Sequence, residues 1–209
     1  MASVKLTKNE QKKQKDQLKQ FQRYLPTLQL KKQQLQMVIR RIEAEAAELA
    51  QQQKAVVESL QSWVAVFNEN REFERPVKLE HLVIVDRVIK YKGNIAGVPI
   101  PVFKELTFKD IPYDYNVYPL WVDRGISSLK EIARFDAMIT TLEKQIELLG
   151  RELRVTSQRV NLFEKVKIPQ TKENIRKIQI YLGDQQTSAV VRGKISKRKL
   201  VKQANQEIA

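Results

Sequence analysis

The sequence has no cysteine and a single histidine, His81. Disulfides and thiolate nucleophiles are therefore excluded, and a zinc ion would find no set of partners beside one imidazole. Glycine and proline are scarce, six and seven among 209 residues, so turns are few and long uninterrupted segments are expected. Gly93 and Gly97 lack the lysine–serine and helix context of a phosphate-binding loop. Glu43, Glu45 and Glu48 read as solvated neighbours on a helix rather than as an acid–base pair. No segment approaches the ~18 consecutive apolar residues of a membrane span. Residues 1–30 are rich in lysine and glutamine without an apolar stretch, which argues against a secretory leader. Together these absences predict a soluble, intracellular chain with no catalytic, cofactor-binding or metal-binding residue.

What the chain does contain is positive charge and periodicity. The formal charge is +14 and the pI about 9.9. An excess of this size predicts an acidic partner: nucleic acid, an anionic membrane or an acidic protein surface. Nucleic acid is disfavoured, because the basic segments hold few aromatics (Phe21 and Tyr24) and no base-reading helix or basic-zipper pattern. Hydrophobic residues make up 42% of the chain, and their periodic spacing argues against disorder.

Steps of three and four residues from Leu18 land on Phe21, Leu25, Leu28, Lys32, Leu35, Ile39, Ile42, Ala46, Leu49, Gln53, Val56, Leu60, Trp63 and Phe67. Only Lys32 and Gln53 are polar. A seven-residue repeat held this long predicts a left-handed coiled coil, roughly 75 Å of helix at the usual rise per residue. Pro26 should kink that helix or remove one hydrogen bond without ending it. Lys32 and Gln53 read either as a looser seam or as polar positions that fix register or bind a partner.

A second repeat runs through Ile132, Phe135, Ile139, Leu142, Ile146, Leu149, Leu153, Thr156, Val160 and Phe163. Ser128 with Glu131 reads as a capping box at its start. After Phe163 the phase slips, and Ile168, Ile175, Ile178 and Leu182 resume it around Pro169, with Gly183 in the place of a C-cap glycine. Two such helices joined by a short middle section fold back on each other in antiparallel fashion.

The middle section has a strand grammar. Leu82–Val85 and Val88–Tyr91 favour strand, Gly93-Asn94 reads as a turn, and Val98, Ile100 and Val102 alternate. Pro99 and Pro101 confine the second strand to an edge. Tyr113, Tyr115, Tyr118 and Trp121 form either a mini-core or a docking surface. The expected architecture is all-α-dominated: a long antiparallel two-helix coiled coil with a small β-hairpin insert at the tip, read as a head capping the helices. Its parts are an N-terminal helix (1–74), a hairpin head (75–123), a C-terminal helix (124–183) and a basic tail (184–209), helical or partly disordered. Antiparallel pairing places the tail's Arg192, Lys194, Lys197, Arg198, Lys199 and Lys202 at the same end as Lys5, Lys8, Lys12, Lys13, Lys15 and Lys19. These clusters read as electrostatic contacts or as solvated termini.

Three blocks carry a resemblance. Arg159-Val160-Asn161-Leu162-Phe163-Glu164, followed by Ile168-Pro169, Ile175 and Ile178, resembles the C-terminal helix of the D subunit of the V-type and A-type rotary ATPases. Leu28 to Leu35 is similar to that family's N-terminal leucine/lysine segment, and Arg192 to Lys197 to its basic tail, Gly193 departing from the pattern. The chain looks like a divergent bacterial member. The resemblance implies a non-catalytic central rotor shaft, cytoplasmic and peripheral to the membrane, with no nucleotide or other cofactor of its own. Its implied partners are the A and B subunits of a nucleotide-binding hexamer, a small F subunit on its side, and a funnel-shaped subunit leading to the membrane rotor ring. Lys194, Lys197, Arg198 and Lys199 are the residues expected to meet a partner. The competing reading is a free-standing basic coiled-coil adaptor or nucleic-acid-associated protein.

Overall fold

A computed structural model of the chain describes residues 4–69, 81–113 and 121–207, apart from the side chains of 62–69 and 203–207. The expectations for Trp63, Phe67, Tyr115 and Tyr118 fall outside what is described. Helix α1 (Lys8–Glu69, 62 residues) is followed by strands β1 (Val85–Ile95) and β2 (Val98–Phe108). Helix α2 (Val122–Asn161) then passes through a π-helical turn (Leu162–Lys167) into α3 (Ile168–Glu207). This is the expected fold class, two long helical arms with a hairpin between them. The chain divides into two compact units, Lys31–Val155 and Met1–Leu30 with Thr156–Ala209.

Local chemistry explains several boundaries. The Glu10 backbone N–H donates to the Thr7 hydroxyl at 3.3 Å, so Thr7-x-x-Glu10 caps the start of α1 by satisfying one of its orphan donors. The box expected at Ser128 and Glu131 does not start a helix, because α2 already begins at Val122 with Asp123 in its first turn. Nor does Gly183 end one. It lies inside α3, which continues to Glu207; an interior glycine costs about 1 kcal/mol, and among the described glycines only Gly97 takes the positive φ that a C-cap glycine needs.

The hairpin turn also moves. Gly93 and Asn94 are paired residues of β1, opposite Ile100 and Pro99, and the reversal is made by Ala96 and Gly97, with φ of 52° and 82°. Positive φ at both central residues is the requirement of a two-residue hairpin whose twist matches its strands. Asn94 supports it by accepting the Gly97 N–H at 2.9 Å. Gly93 is needed for a different reason: a Cβ there would lie 2.8 Å from Val102 Cγ2. The ladder has irregularities between Val85 and Arg87 and between Ile89 and Lys90.

Within Lys31–Val155 the hairpin does not stand off the helices as a cap. Val98 and Ile100 of β2 are buried with Leu35 and Ile42 of α1 and Leu149 of α2, flanked by Ile39, Leu142, Ile146 and Leu153. The physical reason is that two helices leave part of each apolar stripe open, and burying a Val, Leu or Ile is worth about 1.5–3 kcal/mol. A second cluster gathers Leu82, Val122 and Ile126 with Val83, Ile111, Tyr113 and Trp121. That makes Tyr113 and Trp121 part of a mini-core, tied further by a hydrogen bond from the Tyr113 hydroxyl to the Asp123 carboxylate.

In the other unit, among the described residues, α1 packs against the returning arm without a strand. Phe21 packs on Phe163 with ring centroids 5.2 Å apart. Val160 and Ile178 are buried, alongside the polar Thr156 and Thr171. From Phe163 the next inward position is Ile168, five residues on, where the repeat calls for four; Thr171, Ile175, Ile178 and Leu182 then keep the three–four spacing. The slip visible in the sequence is this one extra residue. The π turn absorbs it, its Ile168 N–H donating to the Phe163 carbonyl.

Candidate functional site: the helix seam and the basic end

The first candidate surface is the seam. On α1, Leu18, Phe21, Leu25, Leu28, Ile39, Leu49, Val56 and Leu60 are half-buried, and Leu35 and Ile42 are buried. On the returning arm, Ile132, Phe135, Ile139, Leu142, Ile146, Leu153 and Phe163 are half-buried, and Leu149 and Val160 are buried. Of the two polar seam positions, Gln53 reaches across to within 3.5 Å of the Ile132 carbonyl, a tie that favours its register role. Lys32 is half-buried.

Three cross-element contacts had not been expected. Lys31 pairs with Glu152 at 2.6 Å. Each precedes a seam position on its own helix, and residues flanking the seam are where antiparallel partners meet, so the spacing could have revealed the pair. Gln145, itself buried, donates to the Pro101 carbonyl at 2.7 Å. Proline has no N–H, so β2 presents an acceptor but no orphan donor to α2 at that point. Lys130 and Arg134, one turn apart on α2, lie 5.7 Å and 5.8 Å from the centre of the Phe108 ring, an arrangement of two cations on one aromatic. Nothing in the sequence pattern assigns β2 to this part of α2.

The second candidate surface is basic. Lys194, Lys197, Arg198 and Lys199 are exposed on α3, as are Arg192 and Lys202. Lys8 and Gln11, in the first turn of α1, line a groove with Gln179, Leu182, Gly183 and Ala189 of α3. The helices thus run antiparallel here, and the exposed Lys12, Lys13, Lys15 and Lys19 share the unit with the basic stretch of α3. From Val190 to Val201 the apolar side chains of α3 are exposed as well: Val190 is 59% exposed and Leu200 65%. An exposed helix that alternates lysine and arginine with valine, isoleucine and leucine has both charge and apolar area to offer a partner.

The motif residues sit together around the π turn. Arg159 and Asn161 are exposed at the end of α2, Val160 is buried, Glu164 is exposed in the turn and Pro169 is the second residue of α3. His81 is exposed. Among the described residues no group of His, Cys, Asp or Glu could hold a metal ion, and no helix is long and apolar enough to cross a membrane. Two glutamates have pKa values below the usual carboxylate range. Glu147 is held down by its hydrogen bond from Lys144 and the charge of Arg151, and Glu173 by its hydrogen bond and ion pair with Lys177.

These features are those of a helical coil with an inserted hairpin and an exposed, basic stretch of helix. The sequence matches the family of the ATP synthase D subunit over residues 10–198. It is 52% identical over 202 residues to the V-type ATP synthase D subunit of Borreliella burgdorferi, covering 97% of each chain. It is 33% identical over 197 residues to the protein of that description in Chlamydia pneumoniae, covering 94% of this chain and 93% of the relative. The corresponding Chlamydia trachomatis serovar L2 protein is 34% identical over 202 residues, covering 95% and 97%. The chain belongs to the ATP synthase D-subunit family, and is a subunit of a rotary ATPase.

Proposed function

We propose that this chain is the central rotor shaft of a V-type rotary ATPase, a non-catalytic part that couples ATP turnover in the ring of A and B subunits to proton or sodium movement. The observation that carries the reading is the pair of helical arms, 62 residues outward and an unbroken return from Val122 to Glu207, closed by an apolar seam. A seam of this kind resists shear between the arms, which is what transmitting torque requires. An asymmetric axle inside a ring can drive equivalent sites into different conformations only through differential contact, since a ligand shifts an equilibrium only by its differing affinity for the states. The exposed cations of α3 supply such contact against acidic walls. The small F subunit packs on the side of the shaft, and the funnel-shaped subunit joins it to the membrane ring, so the chain sits in the cytoplasm, peripheral to the membrane.

Replacing Lys194, Lys197, Arg198 and Lys199 together by glutamine tests the contact. Loss of assembly with the A/B ring, or of ATP-driven rotation, is expected. Unchanged assembly and rotation would remove the electrostatic part of the proposal. Recovery of the tagged chain from its host without any nucleotide-binding subunits would remove the rotor reading itself.

A further inference from the structure

Strand β1 is an open edge. Among the described residues it pairs only with β2, in a sheet of two strands, and every residue from Ile84 to Lys92 is exposed. Five of these are large and apolar: Ile84, Val85, Val88, Ile89 and Tyr91 are between 37% and 54% exposed. The direction of the backbone groups follows from both ends of the strand. Ile95 and Val98 flank a two-residue turn and so exchange hydrogen bonds. At the far end the Arg87 carbonyl faces β2 too, accepting the Thr107 hydroxyl at 3.2 Å. The irregularity between Ile89 and Lys90 leaves β1 in step, because the unpaired residue there, Lys104, belongs to β2. Alternation therefore turns the N–H and C=O of Val88, Lys90 and Lys92 away from β2. An apolar edge with unpaired backbone groups is where a further strand adds to a sheet.

We propose that β1 takes up an acidic strand from another subunit of the ATPase by main-chain pairing. Charge selects the partner. Along its exposed length β1 carries Arg87, Lys90 and Lys92 against a single acid, Asp86. A second copy of this chain would set three cations beside three more, and like charges across a strand pair are destabilising. Basic side chains are also a common guard of an edge against self-association. A foreign strand with Asp or Glu opposite Lys90 and Lys92, and an apolar residue opposite Val88, gains the cross-strand pairs instead. Its backbone satisfies the outward groups of the same three residues, and its side chains cover part of the apolar surface. The inference rests on the chain's membership of a multisubunit ATPase and not on the shaft reading.

Amide hydrogen exchange, resolved to single residues by mass spectrometry, tests it on the full-length chain alone and in the intact ATPase purified from its host. The amides of Val88, Lys90 and Lys92 are expected to exchange about a hundredfold more slowly in the complex, as open amides do on entering a ladder. Those of Ile89 and Tyr91, already bonded to β2, should change far less. Unchanged exchange at the three outward amides, or equal slowing along the whole strand, overturns the proposal. The double variant Lys90→Glu/Lys92→Glu, reversed on exposed residues, should abolish the slowing; slowing that survives it overturns the acidic partner. If that variant fails to enter the complex, the matched reversal Lys104→Glu/Lys109→Glu, on and beside β2, decides. Normal entry of the second pair supports the edge, and equal failure of both pairs overturns it.

Discussion

The stretch Lys31–Val155 and the stretch made of Met1–Leu30 with Thr156–Ala209 are built from the same two arms and the same repeat, but they are finished differently. In the first, β2 lies on the helices and Leu35, Ile42 and Leu149 are buried beneath Val98 and Ile100. In the second, among the described residues, only helical segments pack together, and half of the buried positions named there are threonines, Thr156 and Thr171 beside Val160 and Ile178. A two-helix coil is the thinnest of packed structures, with one seam and no second layer. The hairpin thickens one region into a small core, whereas the other region carries the π turn in its returning arm.

The comparison breaks first at its largest residues. Leu149→Ala is expected to destabilise the chain by about 3–4 kcal/mol, because a third layer over the site prevents it from collapsing; Ile178→Ala, between two helices that can close in, should cost nearer 2 kcal/mol. Urea denaturation of both variants measures the difference, and equal losses would mean the hairpin adds no confinement. Next comes the polar tie. Gln145→Ala should cost about 1–2 kcal/mol, since a buried donor is lost and the Pro101 carbonyl is left facing an apolar gap. Faster amide exchange in β2, without change in residues 160–178, would locate that loss in the hairpin contact.

Much of this was readable in the residues, for a reason rooted in periodicity. The three–four steps from Leu18 to Leu60 and from Ile132 to Phe163 mark positions that are all buried or half-buried, because a helix has one rigid period and a seam must follow it. The one-residue slip after Phe163 was equally plain, though only the folded backbone shows that a π turn carries it. The hairpin's location was not legible. Alternating Val98 and Ile100 say which strand face is apolar, but not which part of a long helix will receive it. The turn was misplaced because Gly93-Asn94 has the composition of a reversal while Ala96 does not: the glycine answers to a close approach by Val102, and the actual turn tolerates a strained alanine. Gly183 failed as a stop signal since a C-cap glycine ends a helix by taking positive φ, and among the described glycines only Gly97 does so.

The strained alanine gives a smaller effect of opposite sign. Ala96→Asn places a residue that tolerates positive φ ahead of Gly97, the preferred pair for this turn, and should stabilise the hairpin by about 0.5–1 kcal/mol. Thermal unfolding reads the gain. A loss would mean that Ala96 is held by packing against Leu35 and its neighbours more than by its backbone.

The smallest effect sharpens the comparison by charge. Glu147, in the thicker region, carries Lys144 and Arg151 as partners, whereas Glu173, in the thinner one, has Lys177 as its chief partner. Both folded-state pKa values lie below the ordinary glutamate value of 4.5. Each therefore contributes stability that is in place above that value and is lost as pH falls through the lower, folded-state one. Both carboxylates are solvent-exposed, so the contributions are modest and screened by salt. The expected outcome is a slight acid limb below about pH 4.5. Glu147→Gln should flatten it more than Glu173→Gln, because two cations favour the charged form of Glu147. Urea midpoints at pH 3.5 and pH 6 in low salt measure the two variants against the parent, and a larger effect at Glu173 would show that the single lysine pair there is better held than the paired cations around Glu147.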